Sequence, residues 1–349
     1  MMARTYLDYN ATAPLRPEAR QAMLAAFDLV GNPSSVHAEG RAAKAAIEQA
    51  RAQVAQAFGA DGADIIFTSG ATEAAALACA GQPLQGAEIE HEAVGAWVDP
   101  CLPVGADGRV AVADPAQSAL QLANSETGII QDLPQGLALS DMTQGFGKLA
   151  IAFNWSGAKM ALISAHKLGG PKGIGALVVQ RGTDIAAQLR GGGQEMGRRA
   201  GTENVAAIAG FGAAAAAAAR DLADGCWEPV EQFRNILEKA IEAGSKETIL
   251  VGKGSPRLPN TLCMVTPGWK GETQVMAMDL AGFAVSAGSA CSSGKVRASK
   301  VLLAMGLTAE QAQCALRVSL GPKTTEKDVL RFADVWLEKW KRHRARNAA

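Results

Sequence analysis

The run Met160-Ala161-Leu162-Ile163-Ser164-Ala165-His166-Lys167-Leu168-Gly169-Gly170-Pro171-Lys172-Gly173-Ile174-Gly175-Ala176-Leu177 decides how this chain is read. An apolar strand over 160–164 delivers a lysine into a glycine-rich loop, and a second apolar run over 174–179 predicts another buried strand. A lysine at a strand end, walled by glycine, can be stripped of water. Desolvation disfavours the ammonium form, lowers the pKa and leaves an amine nucleophilic enough to form a Schiff base. Ser164 and His166 flank Lys167 with donors suited to a phosphate. Most lysines are solvated surface groups; the density of Ser, His, Gly and Pro around Lys167 argues against that alternative.

Outward from this run the pattern alternates between helix and strand. Segments 17–29 and 36–58 read as helices, the second rich in alanine. Asp64–Thr68 reads as a short buried strand running into Ser69-Gly70-Ala71-Thr72-Glu73 and a further helical pattern; 119–123 and 137–140 are additional strand candidates. Strands separated by helical segments predict an α/β fold, with a mostly parallel sheet between helices in its large domain. The polar, glycine-rich stretch 191–204 precedes a long alanine-rich helix ending near Asp224-Gly225, and the domain boundary is placed at Glu228-Pro229. Beyond it we expect helix 228–243, strands 247–251 and 260–265, helix 271–281, strand 283–286, helix 298–305, strand 315–319 and a basic helix 325–345. That order makes a smaller α+β domain, so the expected division is 15–227 against 1–14 with 228–349.

Composition narrows the function classes. A chain of 349 residues with 48% apolar content can bury two cores. Lys plus Arg and Asp plus Glu stand at 34 each, which gives no electrostatic case for nucleic acid or an anionic membrane. Cys79, Cys101, Cys226, Cys263, Cys291 and Cys314 form no CxxC pair and no metal-ligand spacing. The N-terminus has no apolar signal core, and the alanine run 213–219 is too short to span a bilayer. A soluble cytoplasmic protein with reduced thiols, no membrane, no nucleic acid and no metal is expected.

Four further places carry possible chemistry. In Ser69–Glu73 a strand ends and a helix begins, so free N–H groups and the positive helix end can meet an anion, with Thr72 adding a hydroxyl; an ordinary helix cap is the plain alternative. Asp141, with Gln144, follows the apolar run Gly136–Ser140 at a strand end, where open α/β sheets gather ligands. A carboxylate there can keep a pyridine nitrogen protonated; alone, it is more simply a helix cap. His91 can stack on a ring or shuttle a proton, although isolated histidines are more often structural. Cys291 sits in Ser286-Ala287-Gly288-Ser289-Ala290-Cys291-Ser292-Ser293-Gly294, a setting that suits a reactive thiolate rather than an inert core thiol.

Taken in order, GNPSSVH (31–37), FTSGATE (67–73), EHEAV (90–94), NSETG (124–128), SAHKLGGPKGIGAL (164–177), RRAGTENV (198–205), LPNTL (258–262) and SAGSACSSG (286–294) give the chain a resemblance to NifS/IscS-type cysteine desulfurases within the class V aminotransferases. The likeness runs from Tyr6 to the strand at Arg317. It implies a fold type I pyridoxal 5'-phosphate enzyme that converts L-cysteine to L-alanine and passes sulfur to an acceptor or scaffold protein for iron–sulfur assembly or related trafficking. By the resemblance, Lys167 holds the cofactor and moves the Cα proton, Asp141 pairs with the ring nitrogen, and His91 stacks on the ring. Asn124 and Gln144 hydrogen-bond the ring hydroxyl side; Ala71, Thr72, Ser164 and His166 cradle the phosphate. Thr202 reaches the phosphate of a partner subunit in a homodimer, Arg317 clamps the substrate carboxylate, and Cys291 carries the persulfide.

The chain departs from the family pattern by being shorter between His91 and Asn124 and again between Asn124 and Asp141, which predicts trimmed peripheral elements around a kept site. After Cys291 the loop is basic through Lys295, Arg297 and Lys300, and is read as a solvated segment. Rival readings are a selenocysteine lyase or another class V aminotransferase activity on the same scaffold, and a non-catalytic protein of this fold. Cys291 argues against a transaminase, which has no need of it, and the intact Lys167, Asp141 and Cys291 argue against the non-catalytic reading.

Overall fold

The computed structural model describes residues 4–288 and 298–347. Cys291, Lys295 and Arg297 therefore lie outside the described residues. The chain opens with strand β1 (Thr5–Tyr6), then α1 (Pro17–Phe27), α2 (Ala38–Ala57), β2 (Asp64–Thr68), α3 (Ala71–Cys79), α4 (Glu92–Gly95), β3 (Leu137–Asp141), β4 (Ala158–Ser164), β5 (Gly175–Val179) and α5 (Val205–Ala223). It continues through α6 (Trp227–Gly244), β6 (Ile249–Leu250), β7 (Thr261–Val265), α7 (Gly271–Leu280), β8 (Phe283–Ala284), β9 (Ser286–Ala287), α8 (Lys300–Ala304), α9 (Ala309–Ala312), β10 (Ala315–Ser319) and α10 (Glu326–Asn347).

The first sheet has the order β2-β5-β4-β3. β3 runs parallel to β4, and β5 is antiparallel to both of its neighbours, so every strand but β5 points the same way. Alternation along the strands sends residues to two cores. From β4, Ala161 and Ile163 meet α2 and α5 through Ile47, Val54, Ile208 and Phe211. Met160 and Leu162 meet α3 and α4 through Ala75, Leu77 and Val94 on the other face. The sheet is thus covered by helices on both sides, the α/β layering read from the sequence.

α5 shows why alanine and glycine dominate this layer. Its N-cap is Asn204, whose side chain accepts from the Ala207 N–H at 3.1 Å. Small residues let it lie close to α1 and α2: a Cβ added at Gly212 would stand 2.6 Å from Ala50 Cα, and one at Gly210 would stand 2.6 Å from Met23 Cγ. α5 also corrects one expectation. Counting the alanine run alone made it too short for a bilayer, yet the whole helix of 19 residues is long and apolar enough by length and composition. Its Ile208, Phe211, Ala214, Ala215 and Ala218 are buried in the sheet-and-helix core, the placement of a core helix.

The second sheet is antiparallel, in the order β6-β7-β10-β9, with β1 and β8 pairing in parallel beside it. One face packs Leu262, Met264 and Leu316 against α6, α7 and α10 through Leu237, Met278, Phe332 and Trp336, with Trp269 from the turn before α7. The other face packs Cys263, Val265 and Ala315 onto Ile89, Leu102 and Ile129 from the middle of the chain. The expected strand 283–286 divides into β8 and β9, which belong to different sheets. Segment 119–123 makes only isolated bridges, Ala119 with Leu139 and Ala123 with Ile130, although Leu122 N–H donates to Asp141 O at 2.8 Å. The N-terminal segment joins the halves: Tyr9 N–H donates to Ser319 O at 3.1 Å, and Ala13 N–H donates to His166 O at 2.8 Å.

Candidate active site

β3 and β4 both end at one rim of the first sheet, β3 with Asp141 and β4 with Ser164. After Ser164 the chain tightens into a 3₁₀ turn, Ala165–Lys167, that swings Lys167 across the rim. β2 ends at the same rim and turns through Ser69-Gly70 into α3. These three strand ends enclose a cavity of about 480 Å³ whose wall includes Ala71, Thr72, His91, Asp141, Gln144, Ser164, His166 and Lys167. Eight of the residues expected at the site are thereby brought together from four separate stretches of chain.

One end of the cavity is built for an anion. The N-cap of α3 is Gly70, which offers no side-chain acceptor to the first N–H groups of the helix. Those orphan donors, the helix dipole, Thr72, Ser164 and Lys172 face the same space. Glu73 is turned away from it: its carboxylate accepts from Ser69 N–H at 2.8 Å and pairs with Arg199 at 2.8 Å. Burial, then the charges of Lys167, Lys172 and His91, push His166 down to about 4, so it serves as a neutral hydrogen-bonding group near neutral pH.

Lys167 stands between this end and Asp141. Its amine donates to the carbonyls of Asn10 at 2.6 Å and Ala11 at 2.9 Å. Burial, reinforced by Arg317 and opposed by Asp141 and Asp8, brings it down to about 8. A useful fraction of free amine is then present near neutral pH, as a nucleophile requires. At the far end Asp141 Oδ1 accepts from Thr143 N–H at 2.9 Å. His91 caps α4, and its Nδ1 accepts from Ala93 N–H at 3.1 Å, which puts the proton of the neutral ring on Nε2.

An anion-binding end, a nucleophilic lysine and an opposing carboxylate are the complement of pyridoxal phosphate. The buried hydroxyl of Thr143, on the cavity wall, has no partner among the described residues and is a further polar atom left for a ligand. The donor set fits the cofactor.

Three expected residues sit elsewhere. Asn124 does not line the cavity, although its neighbours Ala123 and Ser125 do. Its oxygen accepts from the N–H groups of Glu126 and Thr127, both at 2.9 Å, and its Nδ2 donates to Ile89 O at 3.2 Å. Those bonds build a turn at the edge of the cavity, and of the two residues expected on the ring hydroxyl side Gln144 is the one on the wall. Thr202 is exposed on the loop before α5, outside the cavity, beside Ser69 and Gly173. Arg317 lies beneath the wall on β10: Nη2 pairs with Asp8 at 2.8 Å, Nη1 donates to Ser125 O at 3.1 Å, and Nε is buried with no partner among the described residues.

The sequence reading missed Asp8, Asn10, Glu90 and Lys148. Glu90 is buried beside His91, and burial raises its carboxyl to about 8. Lys148, also buried, donates to Asn10 Oδ1 at 3.1 Å and Gln144 Oε1 at 2.7 Å. Its only signal in the sequence was a lysine four residues beyond Gln144 and leading into the apolar run Leu149–Phe153.

The sequence profile described as Aminotransferase class-V matches residues 5–98 and 113–332. A cysteine desulfurase of Frankia sp. is 40% identical over 381 aligned positions, covering 95% of this chain and 90% of that protein. The cysteine desulfurase IscS of Dictyoglomus turgidum is 36% identical, covering 96% of this chain and 94% of that one. The X-ray structure of a NifS-like protein from Rickettsia africae superposes with a TM-score of 0.88 at 30% identity, covering 97% of this chain and 99% of that one.

Proposed function

The chain belongs to the class V aminotransferase family, and from that membership and its cysteine desulfurase relatives we propose that it converts L-cysteine to L-alanine with pyridoxal phosphate and carries the sulfur on Cys291. The observation that supports this best is the placement of the half-buried Lys167 between Asp141 and the open N-terminus of α3 in one cavity. Bound there, the cofactor supplies an electron-accepting ring that eases loss of the proton at the substrate Cα.

The rest is the work of the chain's own residues. Lys167 anchors the cofactor and, once released, takes the Cα proton and returns a proton to the product. Asp141 holds the proton on the ring nitrogen. The α3 N-terminus, Thr72, Ser164 and His166 hold the phosphate, Gln144 meets the ring hydroxyl and His91 covers the ring. Arg317 receives the substrate carboxylate. The thiolate of Cys291 attacks the substrate sulfur, the carbon–sulfur bond breaks, and a sulfur–sulfur bond forms. L-cysteine and one thiol become L-alanine and one persulfide, with no outside oxidant.

The exposed loop bearing Thr202 supports a homodimer in which that hydroxyl completes the partner's phosphate site. The IscS relative supports a sulfur acceptor or scaffold protein, with Fe–S assembly as the pathway. The described cysteines, all free thiols, support a cytoplasmic setting.

Borohydride reduction of the cofactor-loaded protein, followed by peptide mapping, tests the assignment. The label is expected on Lys167, together with alanine formation from L-cysteine in the unreduced enzyme. A label elsewhere, or no cofactor absorbance after incubation with pyridoxal phosphate, would sink this reading.

A further inference from the structure

We infer that Lys148 is a positioning residue of the cofactor site: its buried amine fixes the amide of Gln144 and the side chain of Asn10, and through them the N–H that the cavity wall presents and the carbonyl that holds Lys167. The inference rests on the cofactor reading given above.

Lys148 is only 3% exposed, yet no carboxylate is among its hydrogen-bond partners. Both partners are amide oxygens, Asn10 Oδ1 at 3.1 Å and Gln144 Oε1 at 2.7 Å. Lys148 donates to both oxygens, and a donor placed there favours the end of each amide that carries oxygen. With Oε1 engaged, Gln144 must present Nε2 on its other side. That Nε2 donates to Asn10 O at 3.0 Å, and Gln144 lies on the cavity wall. Without Lys148, the amide could turn over and present an acceptor to a hydroxyl that needs a donor.

Asn10 is the second element Lys148 controls. Its Oδ1 accepts from Lys148 and from Asn260 Nδ2 at 3.0 Å, and its Nδ2 donates to Thr261 Oγ1 at 2.8 Å. Its backbone carbonyl is the acceptor shared by Gln144 Nε2 and Lys167 Nζ. Lys148 therefore sits where the N-terminal segment, the first sheet and β7 meet, separated from the reactive amine by Asn10 alone on one path and by Gln144 and Asn10 on the other. Burial, with the charges of Lys167 and Arg317, holds its pKa well below the usual lysine value. An amine with two protons already has both of them placed by these two acceptors.

The test uses Lys148→Met, which keeps the length of the side chain and removes the donor. Cofactor affinity and absorbance are measured beside the melting of the unloaded chain. We expect a cooperative fold, a cofactor dissociation constant raised by about tenfold or more, and a shifted absorbance maximum. Combined with Gln144→Ala, it should lose less than the product of the two single losses, because the amide of Gln144 is one of the two groups through which Lys148 acts. Unchanged affinity and spectrum in Lys148→Met, or losses that multiply in the double variant, would overturn the inference. If Lys148→Met does not fold, Gln144→Glu decides: it keeps an acceptor for Lys148 and removes the N–H from the wall. The same loss and spectral shift are expected, and an unaltered spectrum and affinity would overturn the assigned orientation. A wild-type chain that takes up no cofactor overturns the proposed function itself, whereas unchanged variants of a loaded wild type overturn only the role of Lys148.

Discussion

At the scale of single residues, the site separates titratable groups by environment. Lys167 is lowered to about 8 chiefly by burial, and Glu90 is raised to about 8 by the same cause. Desolvation favours the neutral form of each, one as a base and the other as an acid. For Lys167 the consequence is kinetic. Only the free amine captures an aldehyde, and its fraction grows as pH rises toward and past the folded-state value. The rate of cofactor capture by the unloaded protein should therefore climb with pH and level off above about 8. Stopped-flow absorbance at saturating cofactor checks this; a rate still climbing toward the usual lysine range would mean that the amine is not desolvated.

At the scale of elements, the sequence announced most of what the site stands on. β2, β3, β5 and β10 coincide with their expected segments to within a residue, because their apolar runs are fully buried and bounded by Gly, Pro or polar turns. The strand at 119–123 was overcalled: its pattern is apolar, but its hydrogen bonds go mostly to single residues of β3 and to the turn at Asn124. The turn-building bonds of Asn124 were not foreseen, because an Asn that builds a turn and an Asn that faces a ligand look identical in one sequence. Lys148 was invisible because nothing local distinguishes a buried lysine from a solvated one. The tight seat of α5 on α2 rests on Gly212, where an added Cβ meets backbone that cannot yield. Gly212→Ala should destabilise the protein by about 1–3 kcal/mol, read as a lowered urea midpoint at unchanged slope. An unchanged or raised midpoint would mean that the helices are free to move apart.

At the scale of the whole molecule, the shortened middle of the chain has kept the site by leaning on the second sheet. Residues 99–112 fall outside the family match, yet Leu102 within them packs together with Ile129 against Val251, Cys263 and Val265. The same region extends the first sheet through Gln85, which bridges to Asp99 and Ser118. The three strand ends at Thr68, Asp141 and Ser164 form the rim of the cavity. Assembly belongs to this scale too. If Thr202 completes a partner's site, a mixture of Lys167→Ala and Thr202→Ala chains, unfolded and refolded together, should show more activity than the sum of the separate variants. In the mixed dimer one site has both residues intact. Activity no greater than that sum would argue that each chain completes its own site.

The claim that joins residue, element and molecule is that sulfur leaves L-cysteine for Cys291 while Lys167 and the cofactor work on the carbon. The most direct measurement is the mass of the peptide containing Cys291 after one turnover with L-cysteine and no reductant, with alanine counted in the same sample. The account predicts the added mass of one sulfur atom on that peptide, one alanine for each, and neither product from the Lys167→Ala protein. Alanine formed with no sulfur on Cys291, or formed equally by Cys291→Ala, would contradict it.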